Sequence, residues 1–151
     1  MAAGEYQTKP PLPFIPGSEA AGEVIAVGPD VADFAVGDKV MTRHSPGAFA
    51  EMATISTSAA LPVPDGMDLI QAAGFRSAYT TAYHALVQRG RLQPGEVLLV
   101  HGAAGGIGLA AVQVGKILGA TVIATAGNDE KLAAVKANGA DHIINYTDGF
   151  R

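Results

Sequence analysis

A glycine-rich stretch follows the short apolar run Val97–Val100. The stretch is Ala103-Ala104-Gly105-Gly106-Ile107-Gly108, and it leads into a helical pattern. Glycine at such a turn lets the backbone come close to a phosphate, because no Cβ stands in the way. The helix behind it offers free N–H groups and a partial positive charge. The sequence therefore predicts a diphosphate-binding turn with contacts at Ala104, Gly105, Gly106 and Ile107, although Ala103 stands where the dinucleotide fingerprint has its first glycine. An ordinary glycine-rich turn of an α/β domain is the alternative.

The end of the next predicted strand indicates which dinucleotide would bind. Folds that prefer NAD(H) place an acidic residue there to bond the ribose 2′-hydroxyl, whereas this chain has Ala126-Gly127. Lys131 lies one turn into the following helix, and a charge-assisted bond from lysine to phosphate is worth roughly 1.5–3 kcal/mol. We therefore expect NADP(H) rather than NAD(H). A solvated surface lysine beside Asp129 and Glu130 is the alternative for Lys131.

The elements that must position these residues alternate in the second half of the chain. Strands are predicted at residues 97–100, 121–125 and 142–145, and helices at residues 107–118 and 129–138. This order indicates a parallel sheet with right-handed crossovers, and hence an α/β fold. Because the first of these strands is apolar throughout, we expect it to be buried on both faces. His101, at its end, is interpreted as a core histidine.

The first half of the chain is predicted to be mainly β structure. Strands are predicted at residues 23–27 and 39–41, with a further extended run at residues 48–56. Pro62 and Pro64 exclude a central strand at their position, because proline cannot donate to a ladder. Helices are predicted at residues 68–73, capped by Asp68, and at residues 79–89, stopped by Gly90. Glu19, in an apolar stretch, is interpreted as a structural carboxylate rather than a catalytic acid.

The composition of the 151 residues argues against several classes of function. The formal net charge of −4 provides no basic surface for nucleic acid. Without cysteine the chain can form neither disulfides nor thiolate metal sites, and its four histidines are not at metal-ligand spacing. No apolar run approaches the ~20 residues that span a bilayer. We therefore expect a cytoplasmic protein without metal, nucleic-acid or membrane partners.

A longer pattern resembles the medium-chain dehydrogenase/reductase superfamily, in its quinone oxidoreductase (ζ-crystallin-like) branch. It reads Gly95-Glu96-x-x-Leu99-x-x-x-Ala103-Ala104-Gly105-Gly106-x-Gly108, followed by Gln113 and Lys116. Upstream, Gly17-Ser18-Glu19-Ala20-Ala21-Gly22 and Gly37-Asp38-Lys39-Val40 resemble the signature of the GroES-like catalytic domain. Zinc-dependent members carry histidine after the first glycine of that signature, and cysteine ligands. Since this chain has Ser18 and no cysteine, the resemblance implies a zinc-independent member.

The resemblance extends from Gly4 to Tyr146 and implies a domain organisation. Residues 1–90 would form a partial GroES-like β domain with an inter-domain helix. Residues 91–151 would form the N-terminal half of an NADP(H)-binding Rossmann domain, a doubly wound parallel sheet. Members of the branch are much longer, so the chain resembles the central part of such a reductase. Because a half-built sheet has an unpaired edge and exposed apolar faces, we expect the segment alone to be inactive, and either prone to aggregation or dependent on a partner.

The chemistry implied by the resemblance is metal-free hydride transfer from NADPH to a quinone or an α,β-unsaturated carbonyl. Hydrogen-bond donors would then have to stabilise the charge that develops on the acceptor. By position in the family, Tyr6 lines the substrate side and Thr81 lies near the nicotinamide. Gly127, Lys131 and Tyr146 match the positions around the 2′-phosphate. The full-length form is expected to be a homodimer.

Two other functions fit the same sequence features. An enoyl-thioester reductase, of the polyketide synthase or acrylyl-CoA type, would use the same phosphate-binding turn. A truncated, non-catalytic nucleotide-binding or structural protein would keep the turn without the chemistry. For Thr81 the alternative is a helix-surface hydroxyl bonded to its own backbone, and for Tyr6 it is a disordered residue at the chain terminus.

Overall fold

A computed structural model describes residue 7 and residues 9–43 and 47–149. The chain divides into two compact units between Ser77 and Ala78. Each unit holds one three-stranded sheet. The division falls inside the helix Leu69–Tyr83, called α1, and the domain boundary predicted at residue 90 stays a prediction.

The first unit contains an antiparallel sheet in the order β1-β2-β3. Its strands are β1 Glu19–Glu23, β2 Lys39–Arg43 and β3 Ala60–Pro62. The central strand is the buried one, since Val40, Met41 and Thr42 are all buried. Pro62 ends β3 at the edge of the sheet, where its missing N–H costs no ladder bond, as the sequence predicts.

Two strand predictions in this unit are wrong in detail. β1 begins at Glu19, four residues before the predicted strand, and only Val24 extends its pairing, through bonds of 2.9 and 2.8 Å with Asp38 and Gly37. Residues 48–56 form no strand. Ala48 and Phe49 donate to the carbonyls of Gly17 and Pro16 instead, which leaves the run without a partner strand.

Helix α1 is held at its start and along its length. Asp68 caps it, since its Oδ1 accepts from Gln71 N at 2.7 Å while Gln71 Oε1 accepts from Asp68 N. Glu19 Oε2 accepts from Ser77 N at 2.8 Å, which supports the structural interpretation of that carboxylate. The two predicted helices are in fact one. The helix continues beyond α1 as a π-helical segment, His84–Arg89, and the left-handed residue after it is Arg91 rather than Gly90.

The second unit confirms the predicted alternation of strands and helices. Its elements are β4 Val97–Val100, α2 Gly106–Ile117, β5 Thr121–Ala126, α3 Asp129–Ala137 and β6 His142–Asn145. The sheet is parallel in the order β4-β5-β6, with Leu98 opposite Val122 and Ala124 opposite Ile143. The fold is therefore α/β: an antiparallel β unit followed by a parallel sheet with helices between its strands.

The core of the second unit lies between the sheet and its helices. It is built from buried small and β-branched residues: Val100, Ala103, Val112, Val122, Ala124, Val135 and Ala140. Gly115 lets α2 approach the sheet closely, because a Cβ there would lie 2.6 Å from Leu98 Cδ2. The expectation that β4 is buried on both faces is wrong for the described residues. Val97 and Leu99 are at least half exposed, because they point to the face of β4 opposite Leu98, which packs against α2.

Candidate functional site

The turn between β4 and α2 is fixed by hydrogen bonds to the neighbouring strand and within itself. Ala103 is fully buried, and its N–H donates to Thr125 O on β5 at 2.9 Å. Gly102 has φ +60, which favours glycine, and its carbonyl accepts from Gly105 N at 3.1 Å. The tight turn therefore depends on Gly102, one residue before the position where the fingerprint has its first glycine. This is why Ala103 is tolerated there.

Four amides at this turn have no hydrogen-bond partner among the residues that the structure describes. Helix α2 begins at Gly106, its N-cap Gly105 has no side chain to cap it, and its first bond is Leu109 N to Gly105 O at 2.8 Å. The N–H groups of Gly106, Ile107 and Gly108 are therefore unpaired, as at any helix start, and so is that of Ala104. Together they form a positive, donor-rich surface suited to an anion. The amide of Gly105, one of the predicted contacts, is already bonded internally.

The glycines of the turn are required for different reasons. A Cβ at Gly108 would lie 2.6 Å from Gly102 O and 2.7 Å from Ala103 Cα, so the backbone packing of the turn requires glycine there. A Cβ at Gly106 would meet no heavy atom within 4 Å, and the residue is not in the left-handed region. Packing inside the described chain therefore does not explain Gly106. The open side of Gly106 lies beside the unpaired amides of the turn, and a phosphate bound to those amides would need this space.

Gly127 and Tyr146 meet where β5 and β6 end. A Cβ at Gly127 would lie 2.9 Å from Tyr146 Oη, so the tyrosine ring packs directly on the glycine backbone. Lys131 lies in the first turn of α3 with its side chain exposed, and its backbone N–H donates to the N-cap Asn128. Asp129 Oδ1 accepts from Asn145 Nδ2 at 3.0 Å, which joins the start of α3 to the end of β6. The sequence identifies Asp129 only as a neighbour of Lys131 and does not indicate this contact with Asn145.

The structure describes one of the two residues predicted at the reacting end of the site, and it also describes His101. Thr81 is exposed on α1 beside Ala82, which packs against Ala110 and Val114 of α2. Tyr6 lies outside the described residues. His101 is exposed rather than part of the core, and its Nδ1 lies 3.3 Å from Thr125 Oγ1.

The opposite end of α2 carries an ion pair. Lys116 Nζ lies 2.8 Å from Asp141 Oδ2, and the same oxygen accepts from Val122 N at 2.7 Å. These two hydrogen bonds, Lys116 first, hold the pKa of Asp141 below its ordinary value. The pair joins the end of α2 to the residue before β6, far along the chain from the phosphate-binding turn.

In the described part of the chain, no group of three or more histidine and acidic side chains is arranged to hold a metal ion. None of the helices in the same residues has the length and apolar character needed to cross a bilayer.

The geometry defines a class of protein. A parallel sheet with a glycine turn, a helix start rich in unpaired amides and no acidic residue directly after β5 is a nucleotide-binding α/β unit. Residues 1–65 match the model of the alcohol dehydrogenase GroES-like domain, and residues 106–151 match that of the zinc-binding dehydrogenase family. The chain therefore has the two domains of the medium-chain dehydrogenase/reductase family and is similar to the quinone oxidoreductases of that family.

Similar proteins support this placement. A quinone oxidoreductase of Pongo abelii is 40% identical over 147 residues, which are 97% of this chain and 45% of that protein. The crystal structure of the Escherichia coli quinone oxidoreductase complexed with NADPH superposes with a TM-score of 0.87 at 35% identity, over 98% of this chain and 45% of that one. The JamJ enoyl reductase superposes with a TM-score of 0.77 at 34% identity, over 89% of this chain and 40% of that one. The chain thus spans less than half the length of these relatives.

Proposed function

We propose that the protein is an NADPH-dependent, zinc-independent oxidoreductase that transfers hydride to a quinone or an α,β-unsaturated carbonyl. The observation that carries this proposal is the set of unpaired amides at Ala104, Gly106, Ile107 and Gly108 beside the open side of Gly106. A dinucleotide diphosphate carries the charge and the oxygen acceptors that such a set would bind. The bound NADPH of the E. coli enzyme supports the choice of cofactor.

In this proposal the amides of Ala104, Gly106 and Ile107 bind the diphosphate. Gly105 contributes the space beside the phosphate and the carbonyl that starts α2, because its own amide is bonded to Gly102 O. No side chain has to be reorganised for binding, since all of these donors belong to a backbone that Thr125 and Gly108 already hold in place.

The preference for NADPH over NADH is proposed to come from Lys131, Gly127 and Tyr146. The exposed ammonium group of Lys131 would pair with the 2′-phosphate, and Tyr146 would offer its hydroxyl at the same edge. Gly127 leaves this edge without a carboxylate directly after β5. By analogy with charge-assisted pairs, the lysine bond is worth roughly 1.5–3 kcal/mol, or about 10- to 100-fold in affinity.

The reacting end of the site is proposed from the family resemblance. When bound, NADPH supplies a hydride to the acceptor. Tyr6 would donate a hydrogen bond to the acceptor's carbonyl oxygen, and Thr81 would orient the nicotinamide. Ser18 in place of histidine and the absence of cysteine support chemistry without zinc. A homodimeric, cytoplasmic full-length form is proposed with it.

A titration of NADPH and of NADH into the full-length protein tests the proposal. Because the nicotinamide of either cofactor fluoresces, the two dissociation constants come from the same measurement. We expect NADPH to bind at least about tenfold more tightly than NADH. Equal binding would refute the role of the 2′-phosphate site, and binding of neither would refute the function.

The likeness to JamJ favours a second candidate, an enoyl-thioester reductase. The same phosphate-binding turn would serve that reaction, so cofactor binding does not separate the two. Turnover assays of the full-length protein with a quinone and with an enoyl thioester do. Quinone turnover alone supports the first proposal, and thioester turnover alone supports the second.

A further inference from the structure

Three helices of the second unit are joined by a chain of polar side chains, here called the amide bridge: Tyr79, Gln113 and Asn138. Tyr79 Oη, on α1, donates to Gln113 Oε1 at the middle of α2. Gln113 Nε2 donates to Asn138 Oδ1, on the C-cap residue of α3, at 2.5 Å. All three side chains are half-buried.

The direction of every bond in the amide bridge is determined. Asn138 Nδ2 donates to Ala134 O at 2.8 Å, so Asn138 Oδ1 faces Gln113 and can only accept. Gln113 must therefore present its NH₂ group to Asn138 and its oxygen to Tyr79. One glutamine thus fixes α2 against helices on two sides, with no alternative arrangement of donors and acceptors.

The position of Gln113 on α2 links the amide bridge to the phosphate-binding turn. Gly108 and Gly115 both lie on the side of α2 that touches the turn and the sheet, because they are seven residues apart. Gln113 lies about 160° from Gly115 around the helix axis, and within about 20° of Gly106. The glycines therefore set how close α2 comes to the sheet, while the amide bridge resists rotation and sliding of α2 about that contact.

We propose that Gln113 is a positioning residue for the cofactor diphosphate. By holding α2 to α1 and α3, Gln113 keeps the unpaired amides of Gly106 and Ile107 in the positions that the two phosphates of the cofactor require. This inference rests on the proposed function. Its physical basis is that amides fixed before binding need no reorganisation, whereas a displacement of about 1 Å can cost binding or rate severalfold to 100-fold.

The test compares the NADPH dissociation constant with the unfolding midpoint in variants of the full-length protein. Q113L removes both bonds of Gln113, and we expect it to raise the NADPH dissociation constant about tenfold. Y79F removes a single hydroxyl and should give a smaller increase, which keeps the test available if Q113L does not fold. V135A is the matched control, because it removes buried methyl groups from the core beneath α3 and leaves all three side chains of the amide bridge in place.

We expect V135A to lower the unfolding midpoint while it leaves NADPH affinity within about twofold of wild type. Unchanged NADPH affinity in both Q113L and Y79F, with wild type binding normally, would overturn the inference and leave the proposed function intact. Equal losses of affinity in V135A and Q113L would also overturn it, since they would show a general effect of stability. Failure of the wild type to bind NADPH would overturn the proposed function, and this inference with it.

Discussion

The substitution G106A separates the binding role of the turn from its folding role. A Cβ added at Gly106 would meet no heavy atom of the described chain within 4 Å, so the fold should accept it. The same Cβ would stand between the N–H groups of residues 106 and 107, because it is bonded to the Cα that joins them. It would therefore occupy the space that a diphosphate needs.

The expected magnitudes follow from these contacts. Weakening one or two charged hydrogen bonds costs about 2–3 kcal/mol, which is a rise of roughly 30- to 150-fold in the NADPH dissociation constant. Stability should stay level or rise slightly, since alanine is favoured over glycine in a helix by up to about 1 kcal/mol. Fluorescence titration measures the first quantity, and thermal unfolding followed by circular dichroism measures the second.

G108A is the matched control, two residues further along the same helix. Its Cβ would lie 2.6 and 2.7 Å from backbone atoms of Gly102 and Ala103, which cannot move away as a side-chain end could. We expect it to destabilise the fold by about 1–3 kcal/mol. NADPH binding by G106A with the affinity of the wild type would refute the assignment of the diphosphate to this turn.

Two further substitutions test the edge of the sheet and the ion pair. K131Q should weaken NADPH binding about 10- to 100-fold and leave NADH binding unchanged. K136Q, on the last turn of the same helix, is its control and should change the affinity for neither cofactor. If K131Q weakened NADPH and NADH binding equally, Lys131 would not contact the 2′-phosphate. Asp141 has its pKa lowered from 3.8 in the folded state, so its stabilising effect is present above that pH and is lost as the pH falls through the lower folded value. Unfolding midpoints measured between neutral and acidic pH should therefore show a smaller decline in D141N than in wild type, and parallel curves would contradict the role of the Lys116–Asp141 pair.

The second half of the fold could be predicted closely because its signals are local. Each apolar run became a strand, and the predicted helix ends coincide with Gly119 and Gly139, whose φ angles of +82° and +108° require glycine. The Asp68 cap was predictable for the same reason, since its partner Gln71 lies three residues away.

The features that could not be predicted from the sequence depend on contacts between residues that are far apart in the chain. Residues 48–56 have the composition of a strand, but a strand also needs a neighbouring strand. In the described chain the backbone of this run bonds to Pro16 and Gly17 at its start and to Ala59 at its end, and none of these bonds forms a ladder. The two predicted helices are joined into one through Gly74, and Glu19 holds that helix at Ser77, 58 residues away in sequence. In the site, the pattern singled out Gln113 but gave no sign that it joins Tyr79 to Asn138.

The most direct test is amide hydrogen exchange at residues 104, 106, 107 and 108 of the full-length protein, with and without saturating NADPH. These amides have no partner in the described chain, so they should exchange quickly without the cofactor. We predict that NADPH slows their exchange at least tenfold, with a smaller effect at Gly105, whose amide is already bonded to Gly102 O. Exchange at Ala104, Gly106 and Ile107 that stays unchanged while NADPH is demonstrably bound would contradict the account.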